Sequence, residues 1–301
     1  MLDKSVADAF KGRCCVVTGA ASGIGLALSE ALLQSGANVF LADMSEKNLA
    51  AAAEKFSSCG ARVRTTVVDV SKEDQVRGLI ETAAVKHGKL DYVFNNAGVG
   101  WGGEFVETPT DAWRRVIDID LWSAIYGTLY AAQIMRRQGG GHIVNTASIT
   151  GIVPFVYESL YCAAKHAVVG LSLTSRYELA DSGVRVTVVC PGGVATPIFH
   201  MSEAEALKEV TGSITAADAA ERILNGVARN DALIVFPDNV AAMWRSYWKS
   251  PEAWESGLLA WARGRKASGG LAWHPDEAFA RANFPADYVE TVYPTPSKSA
   301  A

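Results

Sequence analysis

A tyrosine and a lysine four residues apart, Tyr161 and Lys165, are the pair in this sequence best suited to acid–base chemistry. On a helix predicted over residues 159–180, positions i and i+4 share one face about one turn apart. A free tyrosine has a pKa of about 10 and is a poor base at neutral pH. A nearby ammonium favours the phenolate, because an opposite charge lowers the pKa of an acid. The spacing therefore predicts a tyrosine that takes up or returns a hydroxyl proton.

A serine thirteen residues upstream, Ser148, follows a predicted strand. At the carboxyl end of a strand in a parallel sheet, its hydroxyl is placed to hydrogen-bond and orient a substrate oxygen. Taken alone, Tyr161 and Lys165 also fit an ordinary amphipathic helix with a buried ring and a lysine that extends to solvent. The combination with Ser148 and a glycine-rich turn favours the catalytic interpretation.

The glycine-rich turn, TGAASGIG at residues 18–25, joins a predicted strand to a predicted helix. Its glycines allow a tight turn and a close approach of backbone to a pyrophosphate at the helix N-terminus. Asp43 ends the second predicted strand, where a carboxylate would bind both adenosine ribose hydroxyls and repel a 2′-phosphate. No Arg or Lys stands beside it, so the sequence predicts NAD rather than NADP. The alternative role for Asp43 is a helix N-cap.

Short apolar segments alternate with amphipathic ones up to residue 236, an order typical of βαβ units and a parallel sheet. The predicted strands are 14–18, 38–42, 62–68, 92–94, 142–146, 185–190 and 233–236. The predicted helices are 24–35, 46–57, 73–86, 111–138, 159–180 and 216–229. The pattern predicts an α/β fold: one Rossmann-like, doubly wound parallel sheet of about seven strands in a single domain over residues 1–237.

The G-x-x-x-G-x-G spacing of the turn resembles that of the short-chain dehydrogenase/reductase family. Further motifs agree with the family in order and spacing: Asp69 and Val70, Asn-Asn-Ala-Gly at 95–98, Ser148, Tyr161-x-x-x-Lys165, and Pro191-Gly192 with Thr196. The match covers roughly residues 10–237. The resemblance implies an NAD-dependent oxidoreductase acting on CH–OH groups, with Tyr161 as general acid and base.

The resemblance also implies a set of cofactor-binding residues. They are Gly19, Ser22, Gly23, Ile24, Gly25, Asp43, Asp69, Val70, Asn96, Ala97, Gly98, Tyr161, Lys165, Pro191, Gly192, Val194 and Thr196. By the same resemblance, Lys165 would hold the nicotinamide ribose and Thr196 would meet the carboxamide. Asp69 and Val70 would line the adenine pocket. Asn95 is expected beside the cofactor too, although a turn is the plainer interpretation of two adjacent asparagines.

The chain departs from the family pattern at Asp120, where the family usually has asparagine. That asparagine is thought to hold a water that links the lysine to solvent. An ionised carboxylate near Lys165 would stabilise the ammonium and offset its effect on Tyr161. The predicted catalytic residues are therefore Ser148, Tyr161, Lys165 and Asp120, and we expect an active enzyme with an alkaline-shifted pH optimum.

Apolar and aromatic side chains dominate the loops at the predicted carboxyl edge of the sheet. The candidate substrate contacts are Trp101, Val153, Phe155, Tyr157 and Phe199, with His200 and Met201 beside them. This lining predicts a hydrophobic or aromatic secondary alcohol, or its ketone, and disfavours phosphorylated substrates. The alternatives are a carbonyl reductase working mainly in the reductive direction, and an NAD-binding sensor or scaffold that has lost the chemistry.

Residues 238–301, here called the C-terminal extension, hold five of the eight tryptophans. Three interpretations stay open for this predicted helical, aromatic-rich segment. It packs on its own domain or a sister subunit, it forms a lid over the substrate opening, or it binds a membrane surface. The last few residues, which are small and polar, are expected to be frayed or disordered.

Composition excludes several classes of protein. Hydrophobic residues make up 49% of the chain, which rules out disorder for the bulk, and the net charge of −4 without a basic run disfavours nucleic acid. Five cysteines without a C-x-x-C pair and five scattered histidines predict reduced thiols and no metal site. No apolar run of membrane-spanning length is present, so we expect a cytoplasmic protein. The family resemblance implies a dimer or tetramer.

Overall fold

The computed structural model describes residues 2–199, 207, 212–267 and 276–294. The strands in these ranges are β1 (Cys14–Thr18), β2 (Asn38–Asp43), β3 (Val63–Val67), β4 (Tyr92–Asn95), β5 (Gly141–Thr146), β6 (Val184–Pro191) and β7 (Leu233–Phe236). They form one parallel sheet in the order β3-β2-β1-β4-β5-β6-β7. The order reverses direction between β1 and β4, the place where open α/β sheets bind ligands at their carboxyl ends.

Helices cover both faces of this sheet. In the described residues they are α1 (Lys4–Phe10), α2 (Gly23–Gln34), α3 (Glu46–Lys55), α4 (Glu73–His87), α5 (Thr110–Val116), α6 (Ser123–Arg137), α7 (Ser159–Glu178), α8 (Ala216–Arg229), α9 (Asp238–Lys249), α10 (Glu255–Ala267), α11 (Glu277–Asn283) and α12 (Ala286–Val292). The predicted strand bounds agree with the structure to within one residue, and the Rossmann-like α/β fold is confirmed.

Strand β1 shows why the central strands are apolar throughout. Successive side chains of a strand point to opposite faces, so a strand covered on both sides has no polar face. Val17 packs in one core layer with Leu32 of α2, whereas Val16 packs in the other layer with Leu79 of α4. The two layers hold the sheet between helices, and its carboxyl edge is left to build the site.

The helix predicted over 111–138 is one continuous element with a local change of winding. Helix α5 runs into a π-helical segment, Ile117–Trp122, which continues as α6. Such a widened turn inside an α-helix is frequently found at functional positions. Here it carries Asp120, which is 2% exposed.

One histidine is buried inside the sheet. The His142 Nε2 atom on β5 lies 2.8 Å from the Thr187 hydroxyl of β6, and the side chain has no solvent exposure. Burial, with the positive charges of Arg185 and Arg176, lowers the pKa of His142 to about 3. The ring therefore stays neutral in the folded protein over the physiological pH range.

The C-terminal extension packs on its own chain. Its aromatic residues Trp254, Trp261 and Phe284 form a buried cluster, on which Phe155 and Val156 also pack. The latter two belong to residues 147–158, here called the β5–α7 loop. In addition, the Trp248 Nε1 atom donates a hydrogen bond to the carbonyl of Ile152 in this loop at 2.7 Å. The extension thus lies against the loop that connects Ser148 to α7. In the described part of the chain, no helix is long and apolar enough to cross a membrane.

Candidate active site

Ser148, Tyr161 and Lys165 meet at the carboxyl end of β5. Ser148 begins the short 3₁₀ turn Ile149–Gly151, where its Oγ accepts a hydrogen bond from the Thr150 amide at 3.2 Å. The Ser148 hydroxyl is also among the groups that lower the pKa of the Tyr161 phenol, through a side-chain hydrogen bond. The Lys165 Nζ atom lies 5.4 Å from the centroid of the Tyr161 ring. The structure therefore brings together the three side chains that the sequence motifs nominate.

Close packing of the turn on α7 makes this arrangement possible. A Cβ atom on Gly151 would lie 2.6 Å from the Lys165 carbonyl oxygen, so a larger residue would push the turn away from the helix. Lys165 itself is 3% exposed, and its Nζ donates a hydrogen bond to the Thr146 carbonyl at the end of β5 at 3.2 Å. The ammonium is thus held between strand and helix.

Asp120 forms an ion pair with the lysine, as the departure from the family pattern led us to expect. Its Oδ2 lies 3.1 Å from Lys165 Nζ, and its Oδ1 accepts a hydrogen bond from the Val99 amide at 2.8 Å. Burial raises the pKa of Asp120, while Lys165 opposes that rise. Burial by itself would lower the pKa of Lys165, but Asp120 and Tyr161 raise it above its usual value. The lysine therefore remains an ammonium, with Asp120 as its ion-pair partner.

The pKa of Tyr161 shifts in the opposite direction from the one that the Tyr-Lys spacing predicts. Burial raises it to about 12; Lys165 lowers it, Asp120 and Glu158 raise it, and the Ser148 hydrogen bond lowers it. The spacing predicts the effect of the lysine correctly, but burial outweighs it. In the protein without ligand, Tyr161 is a neutral phenol at neutral pH.

The glycine-rich turn after β1 has no room for side chains. Gly19 has a φ of +63°, in the left-handed region that favours glycine. A Cβ on Gly25 would lie 2.1 Å from the Gly19 carbonyl oxygen, and one on Gly23 would lie 3.1 Å from the Thr196 side chain. Helix α2 begins at Gly23, and the preceding Ser22 is exposed and makes no side-chain cap to it. The turn therefore presents backbone, a free hydroxyl and a helix N-terminus, as a pyrophosphate cradle requires.

Asp43 at the end of β2 lies beside this turn. Its Oδ2 accepts a hydrogen bond from the Ala21 amide at 3.1 Å, and its Oδ1 accepts one from the Ser45 amide at 3.0 Å. The N-cap of α3 is Ser45, whose hydroxyl accepts from the Asn48 amide. The alternative role of Asp43 as a helix N-cap is therefore wrong, and its carboxylate is held against the glycine-rich turn.

The segment after β4 is attached to the end of β1. The Thr18 hydroxyl oxygen accepts hydrogen bonds from the Asn96 amide at 3.0 Å and from the Ala97 amide at 3.1 Å. A Cβ on Gly98 would lie 3.3 Å from Lys165 Nζ, so this segment connects the glycine-rich turn with the lysine. The Asn95 side chain, by contrast, is buried in the interior, where its Nδ2 donates a hydrogen bond to the Asn145 side chain at 2.8 Å. We therefore correct the expectation that it lies beside the cofactor.

The remaining predicted cofactor contacts follow β3 and β6 at the same edge of the sheet. Asp69 accepts hydrogen bonds from the Ser71 amide and hydroxyl, and Val70 is buried beside it. Pro191 ends β6, and the Gly192 amide donates to the Phe236 carbonyl at 2.7 Å. The partly exposed Ile24 lies in the first turn of α2, and Val194, 3% exposed, pairs with Ile214 in an isolated parallel bridge.

The predicted substrate contacts fall into different environments. Trp101 packs on a small buried cluster that includes Leu160 and Ala164 of α7. Tyr157 has a φ of +65°, which is unusual for a residue other than glycine. Such backbone strain is found disproportionately at functional sites.

Two other candidates pack elsewhere. Val153 is 1% exposed and lies in the core, so the structure gives it no surface for a ligand. Phe155 packs edge-on against Trp261 of the C-terminal extension, with ring centroids 5.0 Å apart. His200, Met201 and the side chain of Phe199 lie outside the described residues.

Two charged residues near the site carry no motif that would reveal them. Glu158 immediately precedes α7, and Arg265 reaches it from the C-terminal extension at 3.3 Å. Glu158 has a weak sequence signal, because it stands three residues before Tyr161. Arg265 has none, because 107 residues separate it from Glu158. Among the residues that the structure describes, no group of three or more His, Cys, Asp or Glu side chains could hold a metal ion.

Comparison with known proteins agrees with this architecture. A family model described as short chain dehydrogenase matches residues 13–206. A 3β-hydroxysteroid dehydrogenase 2 from Eggerthella lenta is 37% identical over 189 residues, which is 62% of this chain and 73% of the relative.

Solved structures give the same result. A short-chain dehydrogenase/reductase from Burkholderia phymatum, in complex with NAD, superposes with a TM-score of 0.75 at 28% identity, covering 89% of this chain and 98% of that one. ElxO with NADP bound superposes with a TM-score of 0.69 at 26% identity, covering 77% and 99%. This chain belongs to the short-chain dehydrogenase family of oxidoreductases, which act on hydroxyl and ketone groups.

Proposed function

We propose that this protein is an NAD-dependent dehydrogenase of hydrophobic secondary alcohols, with Tyr161 as general acid and base. The observation that carries the proposal is the contact of Ser148, Tyr161 and Lys165 at the carboxyl end of β5. Residues 1–237 would form the catalytic domain, and the C-terminal extension would close over the β5–α7 loop.

The residues present fit a nicotinamide dinucleotide. The glycine-rich turn offers a cradle that a single Cβ would fill, and α2 starts at its end. We assign Asp43 to the adenosine ribose, because its carboxylate lies against the turn and would repel a 2′-phosphate. This charge favours NAD over NADP. When bound, the nicotinamide would accept hydride from the alcohol carbon or return it to the ketone.

The side chains around the alcohol have separate tasks. The Ser148 hydroxyl would hydrogen-bond to the substrate oxygen and orient it beside the phenol. Tyr161 would accept the hydroxyl proton as the C–O bond becomes a carbonyl, and would donate it in the reverse direction. Lys165 would stabilise the phenolate through its positive charge, and Asp120 would reduce that stabilisation. The same residues serve both directions of the reaction.

The substrate class is inferred from the side chains near the site. Trp101 and Tyr157 lie in the two loops that meet beside α7, and both are large and aromatic. Apolar linings with few polar groups are typical of sites for hydrophobic small molecules. The Eggerthella lenta relative is named for a hydroxysteroid, which is a bulky secondary alcohol. We therefore place cyclic and aromatic secondary alcohols first among the substrates to test.

An absorbance screen at the nicotinamide band tests the proposal. The protein would be incubated with NAD or NADP and a panel of cyclic, aromatic and short-chain secondary alcohols, and in parallel with NADH and the matching ketones. We expect turnover with NAD and cyclic or aromatic alcohols, and a loss of about 10³-fold or more in Tyr161→Phe. Activity on ketones alone would favour a reductase. If the wild type and Tyr161→Phe both bind NADH and neither shows turnover, a sensor or scaffold is favoured.

The cofactor preference has its own test. Asp43→Asn removes the charge but keeps one acceptor oxygen for the Ala21 amide. We expect the ratio of NADP to NAD efficiency to rise by about tenfold, which corresponds to about 1.4 kcal/mol of lost repulsion. Wild-type protein that uses NADP as well as NAD would contradict the assignment of Asp43.

A further inference from the structure

An arginine of the C-terminal extension is buried beside the catalytic helix. Arg265 lies near the end of α10, and its side chain is 1% exposed. Its Nη1 atom donates hydrogen bonds to the Val156 carbonyl at 2.7 Å and to Glu158 Oε1 at 3.3 Å. Its guanidinium stacks over the Trp261 ring at 4.9 Å. Arginine is seldom buried to this extent unless it is paired, so these contacts account for its position.

The two acceptors lie directly before the catalytic tyrosine in the chain. Glu158 is the N-cap of α7, and its carbonyl accepts the hydrogen bond of the Cys162 amide at 2.7 Å. Between Val156 and Glu158 stands Tyr157, whose left-handed backbone is an uncommon conformation that the surroundings must hold. The Tyr157 carbonyl in turn accepts from the Gly103 amide of the loop after β4 at 2.8 Å. One guanidinium therefore holds the segment from which α7 starts.

The charge of Glu158 matters for the chemistry of Tyr161. The ionisable groups that act on Tyr161 are Lys165, Asp120 and Glu158, and both carboxylates raise the pKa of Tyr161. Burial raises the pKa of Glu158, and the Arg265 guanidinium, 3.3 Å from Glu158 Oε1, opposes that rise. The guanidinium therefore favours the charged form of Glu158, and its positive charge opposes the effect of that carboxylate on Tyr161.

A neighbouring ion pair has a different character. Lys266 lies 3.2 Å from Glu104, but both side chains are well exposed. Exposed pairs of this kind are screened by water and contribute little. Arg265, whose side chain is buried, is therefore the residue to replace in a test of what the extension does.

We propose that Arg265 is a positioning residue for the dehydrogenase reaction: it holds the end of the β5–α7 loop and balances the charge of Glu158 beside Tyr161. The proposal rests on the proposed function for its catalytic part. It gives the C-terminal extension an indirect part in the active site. Arg265 acts on Tyr161 through the β5–α7 loop and the Glu158 carboxylate, without contact with the substrate.

Four variants test the proposal. Arg265→Met removes the charge and the donors, Glu158→Gln removes the opposing charge but keeps an acceptor, and the double variant removes both. Arg263→Met is the matched control, because Arg263 is exposed on the same helix. Two measurements are made on each: the pH profile of kcat/KM for alcohol oxidation, and hydrogen–deuterium exchange of the amides in residues 100–104 and 149–162.

The two charges have opposite expected effects on the pH profile. Arg265→Met is expected to move the acid limb to higher pH by about half to one pH unit. That limb lies at alkaline pH, where a Glu158 carboxylate without its counter-charge disfavours the phenolate. Glu158→Gln is expected to move it to lower pH, and the double variant to bring it back near the wild-type position. In Arg265→Met and in the double variant, the loop amides are expected to exchange at least several-fold faster than in Arg263→Met.

Other outcomes would overturn the proposal. If Arg265→Met matches Arg263→Met in both measurements, the residue has no positioning role. If exchange increases without any change in the pH profile, the role in charge balance is wrong. Should Arg265→Met fail to fold, Arg265→Lys is used, since lysine keeps the charge but cannot reproduce the planar set of donors. Arg265→Lys is expected to keep the wild-type pH profile of kcat/KM but to increase amide exchange in the loop. If the wild type shows no turnover, the proposed function fails, and exchange alone then decides whether Arg265 holds the loop.

Discussion

Asp120→Asn removes one negative charge from the buried site with almost no change in side-chain size. The Asp120 carboxylate forms an ion pair with Lys165 and raises the pKa of Tyr161. An asparagine keeps an oxygen that can accept from the Val99 amide, so the local backbone is expected to stay in place. The variant therefore isolates the effect of the charge on the tyrosine.

The size of the effect follows from two distances. Asp120 Oδ2 lies 3.1 Å from Lys165 Nζ, which lies 5.4 Å from the centroid of the Tyr161 ring. Together these distances place the carboxylate within roughly 8.5 Å of the ring, where an effective dielectric constant of about 20 gives about 2 kcal/mol of repulsion with a phenolate. Since one pH unit corresponds to about 1.4 kcal/mol, the acid limb of the pH profile is expected to move by about 1.4 pH units.

The direction of the pH shift depends on which protonation state of Tyr161 takes part in the reaction. In alcohol oxidation the phenolate accepts the proton, so kcat/KM rises as the pH rises through the pKa of Tyr161. Removing the Asp120 charge lowers that pKa, because Asp120 raises it in the wild type. The rise in activity should therefore occur at lower pH in Asp120→Asn.

The assay is kcat/KM for one alcohol from about pH 6 to 11 at saturating cofactor. Asp118→Asn is the control, because Asp118 is exposed on the same π-helical segment and should leave the profile unchanged. Thermal unfolding checks that each variant is folded. A wild-type profile in Asp120→Asn would refute the reasoning, as would a shift to higher pH, because either result means that Asp120 does not act on Tyr161 as a negative charge.

Three further predictions concern cofactor binding and stability. Gly25→Ala should abolish NADH binding in a fluorescence titration, because its Cβ would lie 2.1 Å from the Gly19 carbonyl oxygen. The control Gly78→Ala has open space around its Cβ in α4, so it should bind NADH normally and raise the free energy of urea unfolding by about 0.5–1 kcal/mol. His142 takes up a proton below about pH 6.5 in the unfolded chain but only near pH 3 in the folded chain, so acid favours the unfolded state. Between pH 7 and 5 the free energy of unfolding should therefore fall by roughly 2 kcal/mol more in the wild type than in His142→Gln. Trp254→Ala should lower the stability of the C-terminal extension by about 3–5 kcal/mol, because it empties the centre of the buried aromatic cluster. Amide exchange should become faster in residues 238–294 and stay unchanged in the sheet. Equal acceleration in the extension and the sheet would contradict an extension that packs as a separate unit.

Local sequence was sufficient to predict the elements. Strands such as β1 are recognised from continuous apolar runs, because a strand covered on both faces has no polar side. Within the range 111–138 the sequence predicts a helix, but not its π-helical turn at Asp120. That change in winding accompanies the packing of Asp120 against Lys165, which lies far along the chain. Helical periodicity carries no information about such a contact.

The motif spacing also predicted which side chains meet. Tyr161 and Lys165 share a face of one helix, and Ser148 follows a strand whose carboxyl end faces that helix. Asn95 and Val153 are the exceptions, since the sequence places them near the site and the structure buries both in the interior. Adjacent residues of a loop or strand end point in different directions, and only packing decides which of them reaches the site.

The choice of candidate reacting groups follows from order and spacing in the chain, because the family motifs are local and each is attached to a strand or helix that periodicity reveals. The electrostatic state of those groups does not. Whether Tyr161 is more or less acidic than a free tyrosine depends on its burial and on Lys165, Asp120 and Glu158 together. Arg265, 107 residues from Glu158 in the chain, acts on the pKa of Glu158 only because the C-terminal extension folds back onto the β5–α7 loop. Burial and long-range charge are properties of the packed chain, so only the tertiary structure decides them.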